Sequence, residues 1–249
     1  MNRAFQGKVL TKADFRVPAL ATVDLSGREV LEVLPRGKHM LTRFESGVSL
    51  HTHFKMEGSW HIYRHGQRWR GGQPHEVRVI LETNERVAVG FRLPVVELIP
   101  TSEEHTAVGH LGPDILDPTW DGAEAVSRVS SSGGTIFEAL HDQRNVAGLG
   151  NIYVNETLFR AGVNPWAPAA EVSDVEAVLK IGRKLIRANL KGWHQSTTGD
   201  TRPGTKHWVF ERTGQPCRRC GSPIQSAVHS NEMQARLTYW CPSCQPAKR

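Results

Sequence analysis

Four cysteines, all near the C-terminus, have the spacing of metal ligands. Cys217-Arg-Arg-Cys220 and Cys241-Pro-Ser-Cys244 are two C-x2-C knuckles separated by 20 residues. Each knuckle offers two thiolates from one tight turn, and two knuckles together close a tetrahedral four-thiolate zinc site. Four protein ligands leave no position for water, so the one zinc ion expected here is structural. Two disulfides are the competing reading, but they suit secreted chains, and no apolar signal region follows Met1. The run Gln234–Trp240 between the knuckles is rich in β-prone residues, which predicts a zinc ribbon or β-hairpin finger. A unit this small draws its folding free energy from the metal.

A second segment has anion-binding chemistry. Asp142-Gln-Arg-Asn-Val-Ala-Gly-Leu-Gly-Asn151 puts Gly148 and Gly150 just before a predicted helix start, where unpaired backbone N–H groups favour a phosphate. The glycines let the backbone approach closely, and Asn151 adds an amide donor. A lone Gly-x-Gly is more often an ordinary tight turn. The charge distribution favours the phosphate: residues 1–178 hold 18 Lys and Arg against 22 Asp and Glu, net −4, whereas residues 179–249 hold 13 against 3, net +10. Solubility alone would also account for a basic surface, but a zinc module with a basic last third points to nucleic acid.

The elements that must position these groups fall into three regions. Within the 249 residues, 39% hydrophobic and 22% charged, composition is that of a globular chain. No stretch approaches the roughly 18 apolar residues of a membrane span, and a cytoplasmic location is expected. Residues 8–100 carry short Val- and Ile-rich runs with period two, among them Glu29–Leu34, His39–Phe44, Val48–His53 and Glu76–Glu82, which predict an all-β sandwich or barrel. Residues 101–134 are irregular, with Gly112-Pro113, Asp117-Pro118 and Ser130-Ser-Ser-Gly-Gly134 marking a linker. From 135 the period becomes helical: Thr135–Leu140, then Asn151–Arg160 closed by Gly162 and Pro165, then a capping box Ser173-Asp-Val-Glu176 ahead of Val175, Val178, Leu179, Gly182, Leu185 and Ile186.

Asp142-Gln143, Val146-Ala-Gly-Leu-Gly-Asn-Ile-Tyr153, Glu156, Leu158-Phe-Arg-Ala-Gly162, Pro165 and the four-cysteine finger closely resemble the formamidopyrimidine-DNA glycosylase and endonuclease VIII family. Arg36-Gly-Lys38, His53-Phe-Lys-Met56 with Gly58, Leu111-Gly-Pro-Asp114, and Arg236 ahead of Tyr239-Trp-Cys-Pro-Ser-Cys244 extend the match over nearly the whole chain. Arg36-Gly-Lys38, the spacing after His53 and Thr197-Thr-Gly-Asp-Thr201 look most like the actinobacterial endonuclease VIII branch.

The resemblance implies a multi-domain α+β fold: an N-terminal β-sandwich over 1–112, a helix-two-turn-helix DNA-binding domain over 113–205 and a zinc finger over 206–249. It implies a monomer acting on double-stranded DNA with a damaged base or abasic site. The base is turned out of the stack, because its glycosidic carbon is unreachable inside the duplex. It is then excised through a Schiff base, and the strand is cut by β- and δ-elimination. By resemblance, Lys38 contacts the phosphate next to the lesion and assists elimination, as does Arg236, whose planar fork holds phosphate bidentately. His53 touches the DNA backbone, Lys55 occupies a neighbouring contact position, and Met56 is the apolar wedge left in the gap. His110 sits where some relatives place an arginine. Asn151 binds phosphate beside the lesion, and Glu156 lies near the extruded nucleotide.

One feature departs from the family pattern. Relatives begin Met-Pro-Glu, the proline serving as nucleophile and the glutamate as acid, and continue into an amphipathic helix. This sequence begins Met1-Asn2-Arg3-Ala4-Phe5, which resembles the end of that helix. The expectation is that the natural protein carries Pro-Glu upstream. The alternatives are a damaged-DNA-binding protein that does not excise bases and, from another class, a zinc-ribbon RNA-binding protein. The latter explains charge and cysteines but not Lys38, the Gly148–Asn151 turn and Arg236 together.

Overall fold

The structure is a computed structural model describing residues 1–55, 57–190, 195–231 and 234–247. The chain divides into two compact units, Met1–His110 and Leu111–Arg249.

In the first unit, period-two runs form two antiparallel sheets, so the architecture is a sandwich rather than a barrel. One sheet has the order β1 (Lys8–Val9), β3 (Glu29–Arg36), β4 (His39–Phe44), β5 (Val48–His53), β9 (Val95–Pro100). The other has the order β2 (Lys12–Phe15), β7 (Val77–Glu82), β8 (Val87–Phe91), β6 (Ser59–Tyr63). Met40 and Phe44 of β4 enter the core between the sheets with Val30, Val33 and Leu50, meeting Val79, Leu81 and Ala88 from the other side. Val30 and Val33 share that face although an odd number of positions separates them, because the register shifts between Val30 and Glu32. Phe5, on the short helix α1 (Asn2–Phe5), completes the same core. Alternation then leaves His39, Leu41 and Arg43 on the outer face of β4.

That outer face explains why part of the expected linker is ordered. Helix α2 (Glu104–Val108) anchors there through Glu104, whose carboxylate accepts from Arg43 Nη2 at 2.6 Å and Ser49 Oγ at 2.6 Å. Arg43 also pairs with Glu32.

In the second unit, α3 (Ala123–Ser130), α4 (Ile136–His141), α5 (Asn151–Ala161) and α6 (Val175–Ala188) surround a core of Ile136, Phe137, Val154, Leu158, Val178 and Leu179 among others. Helix α3 lies in the stretch expected to be irregular. Its buried residues are Ala125 and Val129, four apart, and its start at Gly122 lacks a side-chain cap. Thr135 caps α4 in a full capping box with Glu138. The expected box at Ser173 is corrected: the N-cap of α6 is Asp174, which accepts from the Ala177 N–H at 2.8 Å. Helices α5 and α6 cross closely at Gly182, where a Cβ would stand 3.2 Å from Leu149 and Thr157. The finger hairpin is β10 (Gln225–Asn231) with β11 (Gln234–Trp240).

Candidate nucleic-acid interface and zinc centre

The zinc ligands converge as the spacing requires. The four Sγ atoms lie within 4.8 Å of one another, with Cys220 to Cys241 at 3.4 Å and Cys217 to Cys244 at 3.9 Å. Thiolates about 2.3 Å from a tetrahedral zinc sit about 3.8 Å apart, so the donor set fits that ion. The first knuckle is wound by the Gly221 N–H donating to the Cys217 carbonyl and by the Arg219 N–H pointing at Cys217 Sγ. The second is bolted to the chain just after α5. Gln245, fully buried, accepts the Cys241 N–H at 3.0 Å and donates from Nε2 to the Val163 carbonyl at 2.8 Å. Burial pushes the Cys244 thiol up to about 12, whereas hydrogen bonds from Ser222 hold Cys220 down at about 6. Such a split is what four crowded sulfurs show until a cation lets all of them ionise.

In the same unit, the Asp142–Asn151 turn owes its shape to the Leu111–Asp114 segment beneath it. The Ile115 N–H donates to Ala147 O and the Ala147 N–H to Pro113 O, a short parallel bridge. Gly112 lies so close that a Cβ would meet the Arg144 carbonyl at 2.4 Å. The two motifs are therefore one packed object. Gly148, at φ +100°, takes a conformation L side chains avoid, but its N–H donates to Gln143 Oε1 at 3.0 Å. This corrects its expected role: Gly148 shapes the turn, and its N–H is committed internally. Gly150 is the N-cap of α5. Asn151 opens the helix with its amide already engaged, Oδ1 accepting from Asn155 Nδ2 at 3.0 Å and standing 3.1 Å from His141 Nε2, and Nδ2 donating to the Leu237 carbonyl at 3.2 Å. A second amide hydrogen remains on Nδ2.

Arg236, on β11, faces His229 across the hairpin. It lines a cavity of about 530 Å³ with Phe137, Glu138, His141, Gln143 and Arg144. His229 escaped notice in the sequence. It is buried, its pKa is lowered by that burial, and Nε2 lies 2.9 Å from Thr135 Oγ1 while its ring stacks on Phe137.

Glu156 must be corrected. It is fully buried on α5, and its two oxygens accept the successive N–H groups of Trp208, Val209 and Phe210 at 2.8–3.1 Å together with the Thr197 hydroxyl. A carboxylate so satisfied has no edge left for a nucleotide. It pins the chain between α6 and the finger onto α5.

In the first unit, Lys38 sits in the turn between β3 and β4, where its carbonyl accepts the Phe54 N–H at 3.1 Å. His53 at the end of β5 pairs in register with His39. Their rings stack at 4.1 Å with an 8° interplanar angle, and His110 meets His39 edge-on at 5.9 Å. Burial foremost, then His51, Lys38, Lys55 and His110, lowers the pKa of His53. Lys55 is held at φ +43° in the tight turn that Gly58 closes onto Phe54 O. Met56 falls outside the described residues. The structure thus gathers Lys38, His53, Lys55 and His110 in one unit, and Asn151 with Arg236's strand in the other. His39 and His51 were missed, although His51-x-His53 at strand period already places two imidazoles on one face.

Comparison with known proteins agrees with these features. The model of the formamidopyrimidine-DNA glycosylase N-terminal domain matches residues 1–93, that of the formamidopyrimidine-DNA glycosylase H2TH domain 111–198, and a zinc finger found in FPG and IleRS 214–247. "Probable endonuclease 8 2" of Streptomyces coelicolor is 48% identical over 100% of this chain and 91% of its own length. "DNA-(apurinic or apyrimidinic site) lyase Nei2" of Mycolicibacterium smegmatis is 42% identical over 99% of this chain and 94% of its own. The solved complex of Lactococcus lactis Fpg with DNA containing an abasic site shares the fold, with TM-score 0.77 at 22% identity over 99% of this chain and 95% of that one. With this identity along its length and all three domain models in order, the chain belongs to the formamidopyrimidine-DNA glycosylase and endonuclease 8 family.

Proposed function

We propose that the protein is a base-excision-repair DNA glycosylase with abasic-site lyase activity, acting on double-stranded DNA that carries an oxidised base, a pyrimidine by its branch. The supporting observation is the 48% identity, along the whole chain, to a relative named as an endonuclease 8, with 42% to one named for lyase action at abasic sites. In this reading residues 1–112 carry the lesion-side contacts, 113–205 the helical DNA-binding domain and 206–249 the finger, which holds one zinc ion.

The residues of this chain act on the phosphate side of the chemistry. Lys38 and Arg236 hold the phosphates flanking the lesion and assist elimination. His53, Lys55 and His110 contact the backbone, and Met56 fills the gap left by the flipped base. Asn151 offers phosphate its second amide hydrogen at the start of α5, with Gly150 keeping the approach open. Attack on the glycosidic carbon belongs, by resemblance, to a Pro-Glu pair, whereas residues 2 and 3 here are Asn and Arg. The protein works as a monomer in the cytoplasm, at the nucleoid.

The test is binding of the zinc-loaded 249-residue chain to three duplexes that differ at one position: an abasic-site analogue, an oxidised pyrimidine and an intact pair. A clear preference for the two lesions is expected. Equal affinity for all three would sink the reading. Borohydride trapping on the oxidised-pyrimidine duplex then separates binding from excision: a covalent adduct marks the Schiff base of a glycosylase and lyase, and lesion-selective binding without an adduct marks a damaged-DNA-binding protein that does not excise bases.

A further inference from the structure

The outer face of the first sheet carries a chain of hydrogen bonds that none of the roles above uses. Glu97 on β9 lies opposite His51 on β5, and its Oε1 stands 2.7 Å from His51 Nδ1. His51 Nε2 in turn stands 2.8 Å from His39 Nδ1 on β4. His51 is 4% exposed, Glu97 is half exposed, and His39 is half-buried against His53. The order of donors follows from the carboxylate. Glu97 only accepts, so His51 donates from Nδ1; a neutral His51 then accepts at Nε2, and His39 fills that acceptor with its own Nδ1–H. The remaining nitrogen of His39, Nε2, therefore carries a lone pair.

We propose that Glu97 and His51 are positioning residues that make His39 a proton-accepting phosphate contact beside His53. This rests on the DNA-binding reading of the same face. A phosphate oxygen only accepts, so it meets His39 Nε2 productively once that nitrogen takes up a proton from solvent. The resulting imidazolium donates from Nε2 to phosphate and from Nδ1 to His51, which still donates to Glu97. One positive charge then lies between two anions, and no other atom changes hands.

The surroundings keep the free protein in the unprotonated state. Burial, then His53, His51 and His110, holds His39 down to about 4. The charged and titratable groups of the neighbouring elements are Arg36 opposite His39 on β3, Lys38 and Lys55 in the turns, His53 on β5 and His110 edge-on. Glu97 is the carboxylate in this set. A phosphate arriving among so many positive or potentially positive groups raises the His39 pKa on binding, and linkage then makes affinity grow as pH falls.

The experiment measures Kd for an abasic-analogue duplex from pH 6 to 8 at constant salt, for the full zinc-loaded chain and for Glu97→Gln and His39→Gln. Full uptake of one proton changes affinity about tenfold per pH unit. The wild-type slope should exceed that of both variants by up to this amount, since His53 contributes equally to all three. In 15N-histidine spectra the His39 Nε2 resonance should move from the lone-pair to the protonated range when duplex is added at neutral pH, and should move less in Glu97→Gln. Binding with one common pH slope in all three proteins, or a His39 Nε2 that stays unprotonated in the complex, overturns the inference alone. No binding by the wild type at any pH overturns the DNA-binding reading and the inference with it.

Discussion

The side-chain amide of Asn151 donates to the main-chain carbonyl of Leu237 at 3.2 Å, so the first residue of α5 is tied to the strand position next to Arg236. The helix start and the finger hairpin are thereby one rigid edge within the second unit. Tyr239 reinforces it, its N–H donating to Asn155 Oδ1 at 2.6 Å one turn further along α5. Two phosphate ligands expected from separate motifs are held in register by hydrogen bonds neither motif reveals.

Replacing either ligand should weaken DNA binding and flatten its salt dependence. A hydrogen bond to a charged group contributes about 1.5–3 kcal/mol, so Arg236→Ala should lose about ten- to hundredfold in affinity. The slope of log affinity against log salt should fall by about one for each phosphate left without its ligand. Asn151→Asp is the sharper probe at the helix start. It keeps the Oδ1 acceptor for Asn155 but removes both amide hydrogens and adds a repelling charge. Unchanged affinity and slope in both variants would remove these residues from the interface.

Glu156 should behave as a stability residue. Substituting Ala leaves three successive N–H groups and a hydroxyl buried without their acceptor, and breaking a buried charged network of this kind costs about 3–5 kcal/mol. Chemical denaturation of Glu156→Ala and Glu156→Gln should show losses of that order for Ala and less for Gln, with affinity per folded molecule nearly unchanged below the transition. A variant as stable as wild type but defective in DNA binding would restore Glu156 to the interface.

These two residues also show where the sequence was legible. Asn151 was readable because everything that defines its position, the glycines before it and the apolar period after it, lies within a dozen residues. Glu156 belongs to the same motif, yet its partners Thr197 and Trp208–Phe210 come from 41 to 54 residues away, and only the folded chain brings them to one carboxylate. The starts of α4 and α5 and the four main strand runs were local and therefore visible. Helix α3 was not, since two small apolar anchors between turn-forming segments leave a weak period. The histidine ladder needed cross-strand register: His39 meets His53 only because the Gly37 turn, at φ +57°, folds β3 back on β4 and β4 then pairs with β5.

Zinc removal should act on DNA binding through Arg236. The second knuckle, Gln245 and the hairpin share hydrogen bonds with α5 and the residues just after it, so a finger without its metal no longer presents β11. Cys241→Ser, or exhaustive chelation, should abolish bound zinc and lower duplex affinity at least as far as Arg236→Ala does. The helices of the second unit keep their own core around Val154 and Leu158 and should retain their far-ultraviolet signal. Metal analysis alongside binding decides the matter: a metal-free protein with wild-type affinity would refute the coupling.

Acid should loosen the free protein before its carboxylates titrate. His39, His53, His61 and His229 all have folded pKa values lowered by burial, His39 to about 4. A histidine whose folded pKa lies below its unfolded value of about 6.5 stabilises the fold while neutral. That contribution is complete above the unfolded pKa and is lost as pH falls from about 6.5 toward the folded value. The carboxylates with lowered pKa, Glu104, Glu138 and Asp142 among them, have ordinary values of 4.5 or 3.8 and lose their contribution only below those. The interval between about pH 6.5 and 4.5 therefore belongs to the histidines. Thermal unfolding of the DNA-free, zinc-loaded protein should show a midpoint that is flat above pH 7 and declines through this interval. His39→Gln should decline less steeply. A midpoint constant down to pH 5 would mean that these imidazoles are not held neutral by the fold.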